Sequence, residues 1–142
     1  MTYSIKHNEK LSDSPCTPLM IEGWNELIKI NYVDPLVVLD ENVIGDHQVI
    51  WGEFKKKPVA LITFTHHPDD HYTWIRMAYV NKDHRQHKLY QKMYALLRTL
   101  AIKEGMPKIS GGIYHINEPM QKAAMKVGRV IEYSVWTEFL DE

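Results

Sequence analysis

Along this 142-residue chain the apolar positions follow two periods, and the switches between them mark out its elements. Residues 2 to 7 read as a short first strand. After the turn-rich SDSPCTP, Met20, Trp24, Leu27 and Ile28 recur at helical spacing and give one apolar face, interrupted at Gly23. Ser14 and Thr17 are candidate caps for that helix, and Pro15 or Pro18 suits its first position, where a missing N–H leaves no bond unmade. Asp34 and Pro35 repeat this cap and first-turn pair and predict a second short helix running toward Gly45.

The character then changes. VIWGEF (49–54), PVALITFT (58–65) and YTWIRMAYV (72–80) are rich in β-branched and aromatic residues, with KKK and HHPDDH between them, which predicts three antiparallel strands in a meander. From His87 to Glu104 the helical period returns: Leu89, Met93, Leu96, Leu97 and Leu100 share a face, and Gly105 stands where a C-cap glycine belongs. KISGGIYHI (108–116) is a strand by its pattern, in which Gly111 and Gly112 signal a bulge or a close backbone approach. Asn117 caps a short helix with Pro119 in its first turn, Met120, Ala123, Ala124 and Val127 on one face, and Gly128 at its end. VIEYSVWTEFL (130–140) closes the chain as a strand, with Trp136 and Phe139 serving either the core or a contact with a second copy.

Composition narrows the classes. An apolar share of 44% with 25% charged residues fits a packed globular chain, and the length fits one domain over residues 1–142. Seventeen basic against eighteen acidic residues give a net charge of -1, so no global field draws nucleic acid or anionic lipid. A basic-patch nucleic-acid binder built on Lys55 to Lys57 and the His84 to Lys92 stretch is therefore the least favoured class. One cysteine, Cys16, excludes an internal disulfide framework and a multi-cysteine zinc site, and suits a reducing compartment. The opening MTYSIKHNEK is charged where a signal peptide needs an apolar run, and no 18-residue apolar segment occurs, so a soluble, cytoplasmic protein is expected. The three imidazoles and two carboxylates of HHPDDH read as turn chemistry, with no metal expected. There is no GxSxG elbow, P-loop or HExxH.

The most informative stretch is Val80 to Tyr90, VNKDHRQHKLY, where a strand runs through a tight turn into a helix. It is similar to VxPxxRxxGxG of the GNAT superfamily of acyl-CoA-dependent N-acetyltransferases. Val80 and Arg85 match in type and spacing, whereas Lys82 replaces the proline, and Lys88 and Tyr90 replace both glycines. A second family signature runs from an asparagine through an alanine and a tyrosine to a glycine and a phenylalanine. Asn117 and Gly128 fit it, with Met120, Ala124 and Arg129 in the other three places. The element order, β-α-α-β-β-β-α-β-α-β, resembles the same superfamily over essentially the whole chain.

The resemblance implies an α/β (α+β) three-layer GNAT-like fold, whose central mixed, mostly antiparallel sheet has six to seven strands, with about four helices. It implies acetyl-CoA as cosubstrate and an amine, on a small molecule or a protein, as acceptor. By position, backbone groups of Ala78, Tyr79 and Val80 would meet the pantetheine arm. The amides of Arg85, Gln86, His87, Lys88, Leu89 and Tyr90 would turn toward the pyrophosphate, and Asn117 would bond near the arm. Physics supports that loop independently, because a helix N-terminus offers unpaired N–H groups and partial positive charge to a diphosphate. Arg85, Lys88, His84 and His87 add cationic side chains. The family's tyrosine acid falls at Ala124, which cannot titrate, so His115 and Tyr133 are the catalytic candidates, with Tyr114 nearby. The alternative is a GNAT-fold binding or structural module without catalysis, of the kind encoded by tailed phages and found among virion-associated proteins.

Overall fold

The computed structural model describes residues 2–30, 47–114, 116–138 and 140. The short helix expected between Asp34 and Gly45 lies outside them, as do His115 and Phe139. Strands β1 (Ser4–Asn8), β2 (Gln48–Phe54), β3 (Lys57–His67) and β4 (Tyr72–Val80) pair antiparallel in chain order, and β5 (Ile109–Gly111) adds parallel to β4. The expected meander is therefore present. Helix α1 (Thr17–Lys29) precedes it, α2 (Leu89–Lys103) follows it, and α3 (Glu118–Lys126) follows β5. Among the described residues this is an α+β fold with a mixed five-stranded sheet and three helices.

Two apolar clusters make the layers. Leu19, Met20 and Trp24 of α1 pack with Val49, Trp51, Leu61, Met77 and Tyr79 on one face of the sheet. Leu89, Met93, Tyr94 and Leu97 of α2 pack with Ile50, Ile62, Phe64 and Ile75 on the other. Alternation along β2 sends Val49 and Trp51 to one cluster and Ile50 to the other, as the strand period requires. Ile75 and Met77 would share a face in a regular strand, yet they face opposite clusters. The register explains it: Thr63 opposes Met77 and Phe64 opposes Ile75, so Arg76 is an extra, bulged residue in β4.

Helix ends follow the predicted chemistry. Pro18 lies in the first turn of α1, although the cap position is Cys16, without a side-chain bond. Ser14 instead accepts from the Cys16 N–H at 3.2 Å and donates to the Leu11 carbonyl at 2.7 Å. Gly105, at φ +75, closes α2, and Asn117 Oδ1 accepts from the Met120 N–H at 3.2 Å to start α3. No helix among the described residues is long and apolar enough to cross a membrane.

The C-terminal third departs from expectation. β5 has three residues rather than the nine of 108–116, and residues 130–138 and 140 form no strand. A strand needs a ladder neighbour. β5 stops at Gly111, so the sheet presents little edge to receive a closing strand. The Gly111 expectation holds, since a Cβ there would stand 3.1 Å from the Ile75 carbonyl oxygen.

Gly23, the interruption in α1, has the same kind of cause. A Cβ on it would lie 2.6 Å from the Tyr79 ring and 2.8 Å from the Met77 methyl. Gly23→Ala should thus destabilise the protein by about 2 kcal/mol through overpacking, against the gain of about 1 kcal/mol that alanine brings to an ordinary helix. Chemical denaturation of the variant measures it, and a rise in midpoint would contradict the close packing of α1 on β4.

Candidate functional site

The site begins where two parallel strands part. β4 and β5 pair through Thr73, Trp74 and Ile75 with Ile109, Ser110 and Gly111. At the next residue, the bulged Arg76, the pairing ends. From there to Val80 the edge of β4 that faces away from β3 has no strand beside it among the described residues, and a cleft opens. Its floor is β4 from Ile75 to Ala78, and Gly112, Ile113 and Tyr114 form the far wall. Trp24 and Leu27 of α1 close one end, and Asn117, Met120 and Arg129 another. A backbone edge without a strand partner offers hydrogen-bonding groups to an extended ligand, as a sheet edge does to a peptide.

Tyr90 also lines a second groove, between the start of α2 and the side of α3. Val80, Arg85, Lys88 and Tyr90 line one side, and Lys122, Ala123 and Lys126 the other. Lys88 caps α2 in the left-handed region, at φ 60 and ψ 24, and makes no side-chain cap bond. The first-turn amides of Leu89, Tyr90 and Gln91 therefore have no intrahelical acceptor, and these three residues line the groove. Gln86 is also left-handed, at φ 67. The loop keeps the backbone shape a glycine would favour, with a lysine at the position that matches the first family glycine.

Arg85 is less free than its position suggests. Its Nε donates to the Val80 carbonyl at 2.9 Å, and its guanidinium holds Glu26 of α1 at 2.9 Å while lying 5.9 Å from the Tyr79 ring centre. Tyr79 donates its hydroxyl to the same Glu26. These two bonds, the tyrosine's first, hold the Glu26 carboxyl below the usual carboxylate range. Burial, reinforced by Glu26, pushes the Tyr79 phenol up. The trio ties α1, β4 and the loop together; Glu26 stays ionised, which makes it a poor proton acceptor near neutral pH.

The other expected residues separate. Ala78 and Asn117 both line the cleft, with Asn117 Oδ1 engaged as helix cap. The Val80 carbonyl accepts from Arg85 Nε at 2.9 Å. Tyr133 lies on the exposed tail, outside the cleft lining. His115 lies outside the described residues. Tyr114 does line the cleft, and Ala124 is buried in α3. Burial pushes the Cys16 thiol up to about 12, which keeps it protonated and unreactive at neutral pH. In HHPDDH, His66 bonds Thr73 at 2.7 Å and His67 bonds Thr65 at 2.8 Å. No three metal-binding side chains converge among the described residues.

Sequence reasoning missed three groups. Lys122 and Lys126 sit four apart on α3, so one face of that helix carries both toward the groove. That spacing was readable, but the partner of the face was not. Arg76 lines the cleft with its guanidinium 5.8 Å from the Trp24 ring centre and a buried Nε that has no hydrogen-bond partner among the described residues. Arg129 reaches from beyond α3 to the Tyr90 hydroxyl at 3.4 Å, beside which burial raises the Tyr90 phenol.

The chain matches the sequence model of the acetyltransferase (GNAT) family over residues 16–128. No curated protein sequence matches it. Several solved structures share its fold. An aminoglycoside acetyltransferase from an uncultured soil metagenomic sample, in complex with sisomicin, superposes at a TM-score of 0.73 and 11% identity, over 99% of this chain and 96% of that one. A ribosomal-protein-alanine N-acetyltransferase from Brucella melitensis biovar Abortus gives 0.71 and 14%, over 98% and 100%. The aminoglycoside N-acetyltransferase AAC(6')-Iy in complex with CoA gives 0.66 and 12%, over 97% and 99%.

Two stability tests follow from the loop. Lys88→Gly should stabilise the fold by about 1 kcal/mol by relieving the left-handed lysine, and an unchanged or lower midpoint would contradict that backbone conformation. Glu26→Gln should lower the melting temperature at pH 7 by a few degrees, roughly the loss of one charged hydrogen bond. Because the Glu26 pKa is depressed in the folded state, its contribution is full above the unfolded value of about 4.3 and fades as pH falls below it. The gap between the two melting temperatures should narrow as pH falls below that value, and a gap that keeps its full size would contradict the ionic role.

Proposed function

Because the chain belongs to the acetyltransferase (GNAT) family, we propose that it transfers an acetyl group from acetyl-CoA to an amine. The observation that carries this reading is the adjacency of two features, which share Tyr90. The β4 edge without a strand partner among the described residues lines a cleft, and beside it lies a groove lined by the start of α2 and by lysines. The first suits an extended amide-bearing arm, the second a diphosphate. Structural neighbours solved with CoA and with a CoA bisubstrate analogue support the same assignment.

The donor supplies a thioester; this chain holds and orients it. Backbone groups of Arg76 to Tyr79 receive the pantetheine arm, and the Asn117 amide bonds beside it. The amides of Leu89, Tyr90 and Gln91 receive the diphosphate, with Lys88, Lys122 and Lys126 supplying charge. Arg85 positions the loop through Glu26 and the Val80 carbonyl. The acceptor enters beside Trp24 and Arg76. Among the described cleft residues Arg76 and Arg129 are cationic and none is acidic, a setting that disfavours an ammonium ion and so keeps the attacking amine neutral. It also favours an acceptor carrying an anionic group over a polycation such as an aminoglycoside. Tyr114, the cleft-wall hydroxyl, is the candidate proton donor to the leaving thiolate.

Calorimetric titration tests the binding half. Acetyl-CoA should bind the wild-type chain, and Lys122→Glu with Lys126→Glu should weaken binding by at least about tenfold. No binding at millimolar ligand would contradict the proposal. Thiol release on an amine panel tests the other half, with amino acids and acidic peptides expected to react ahead of aminoglycosides. Binding with no turnover on any amine would favour the non-catalytic alternative.

A further inference from the structure

Arg76 holds a place in the cleft that its own strand does not explain. The register sets Thr63 opposite Met77 and Phe64 opposite Ile75, so Arg76 stands at the bulge without a cross-strand partner. A bulge re-aims the side chain it carries. Here the guanidinium comes to rest 5.8 Å from the Trp24 ring centre, on the side of the sheet that α1 covers. Stacking on an indole occupies the face of a guanidinium and leaves its in-plane N–H donors open.

Those donors have no use within the chain. The buried Nε has no hydrogen-bond partner, and the guanidinium joins no ion pair, among the described residues. The neighbouring arginines differ in this respect. Arg85 holds Glu26 at 2.9 Å, and Arg129 reaches the Tyr90 hydroxyl at 3.4 Å and the Gly111 carbonyl at 3.5 Å. A buried donor on a charged group is unfavourable to leave unpaired, so its presence in a cleft calls for a partner from outside the chain.

Resting on the acetyl-transfer reading of this cleft, we propose that Arg76 seats the carboxylate of the acceptor, and that the acceptor class is the apolar α-amino acids. Nε and a neighbouring Nη form a two-donor edge that matches the two oxygens of a planar carboxylate. A phosphate dianion fits less well, since the one guanidinium offers it a single charge and Arg129 is already held. Trp24 and Leu27 line the same cleft and give the acceptor's side chain an apolar surface beside the seat. In an α-amino acid a single carbon separates amine from carboxylate, so seating the one orients the other with little torsional freedom left. The neutral amine nitrogen bonds the thioester carbonyl carbon, the C–S bond breaks, and the proton shed by the nitrogen goes to the thiolate. The products are an N-acetylamino acid and the free CoA thiol.

Calorimetric titration of leucine into the full chain saturated with CoA reads the seat without requiring turnover. Leucinamide and isopentylamine keep the amine and the side chain but lack the carboxylate, and both should bind at least about 30-fold more weakly than leucine. Arg76→Met should weaken leucine binding by at least about 30-fold while CoA affinity stays within about threefold. Leucine and leucinamide bound alike by the wild-type chain would overturn the seat while leaving the acetyl-transfer reading in place; that comparison needs no variant and stands should Arg76→Met misfold. Equal loss of leucine and CoA in a folded Arg76→Met chain would show a structural role and overturn the seat too. Absence of CoA binding would overturn the acetyl-transfer reading and the seat with it. Leucine that binds yet releases no thiol from acetyl-CoA would overturn its place as acceptor.

Discussion

Everything this fold offers a ligand depends on the point where β4 and β5 stop pairing. Parallel strands that stay together bury their backbone groups in one another, and no cleft exists between them. Here the ladder lasts three residues and ends at the bulge that Arg76 makes in β4. Gly111 permits the last close contact, at a distance that would crowd a Cβ against the Ile75 carbonyl, and beyond it the two strands separate. The core holds the parted strand in place from both faces, with Met77 and Tyr79 against α1 and Ile75 against α2. Among the described residues a backbone edge is thereby left open while core packing holds it from both faces, the condition for binding an extended ligand without paying first to order the site.

The loop into α2 shows how a phosphate-type turn can persist without glycine. Gln86 and Lys88 take positive φ at a cost of about 1 kcal/mol each, and the rest of the structure meets that cost through contacts elsewhere. Arg85 ties the loop to the end of β4 and to Glu26, and Asn81 caps the short turn at Lys82–His84 by accepting from the Asp83 N–H at 3.0 Å. With the shape held this way, the amides at the helix start remain available. Charge that close approach would have made less necessary comes from α3, through Lys122 and Lys126.

Local patterning was legible wherever burial is one-sided. The meander, α2 and α3 were readable from period, caps and glycines, because each buries one face against a neighbour adjacent in sequence or held by the same core. The short β5 was not readable as short, since KISGGIYHI has the composition of a longer strand and only the parting of the sheet ends it. The closing strand failed for a related reason: its alternation is real, but alternation states a preference for a ladder and does not supply one. In the site, the turn and its backbone donors were visible, while Lys122, Lys126, Arg76 and Arg129 were not, because their convergence is set by tertiary packing alone. Tyr133 drew attention by residue type, and the structure places it on the exposed tail.

The central claim is that the β4 edge and the start of α2 act as one binding surface for acetyl-CoA. Amide hydrogen exchange, followed with and without acetyl-CoA, reads both at once. The account predicts slowed exchange in residues 76–80 and 89–91 together, with the β1–β2 hydrogen bonds unchanged. Protection that leaves either segment untouched, or that spreads evenly over the chain, would contradict it.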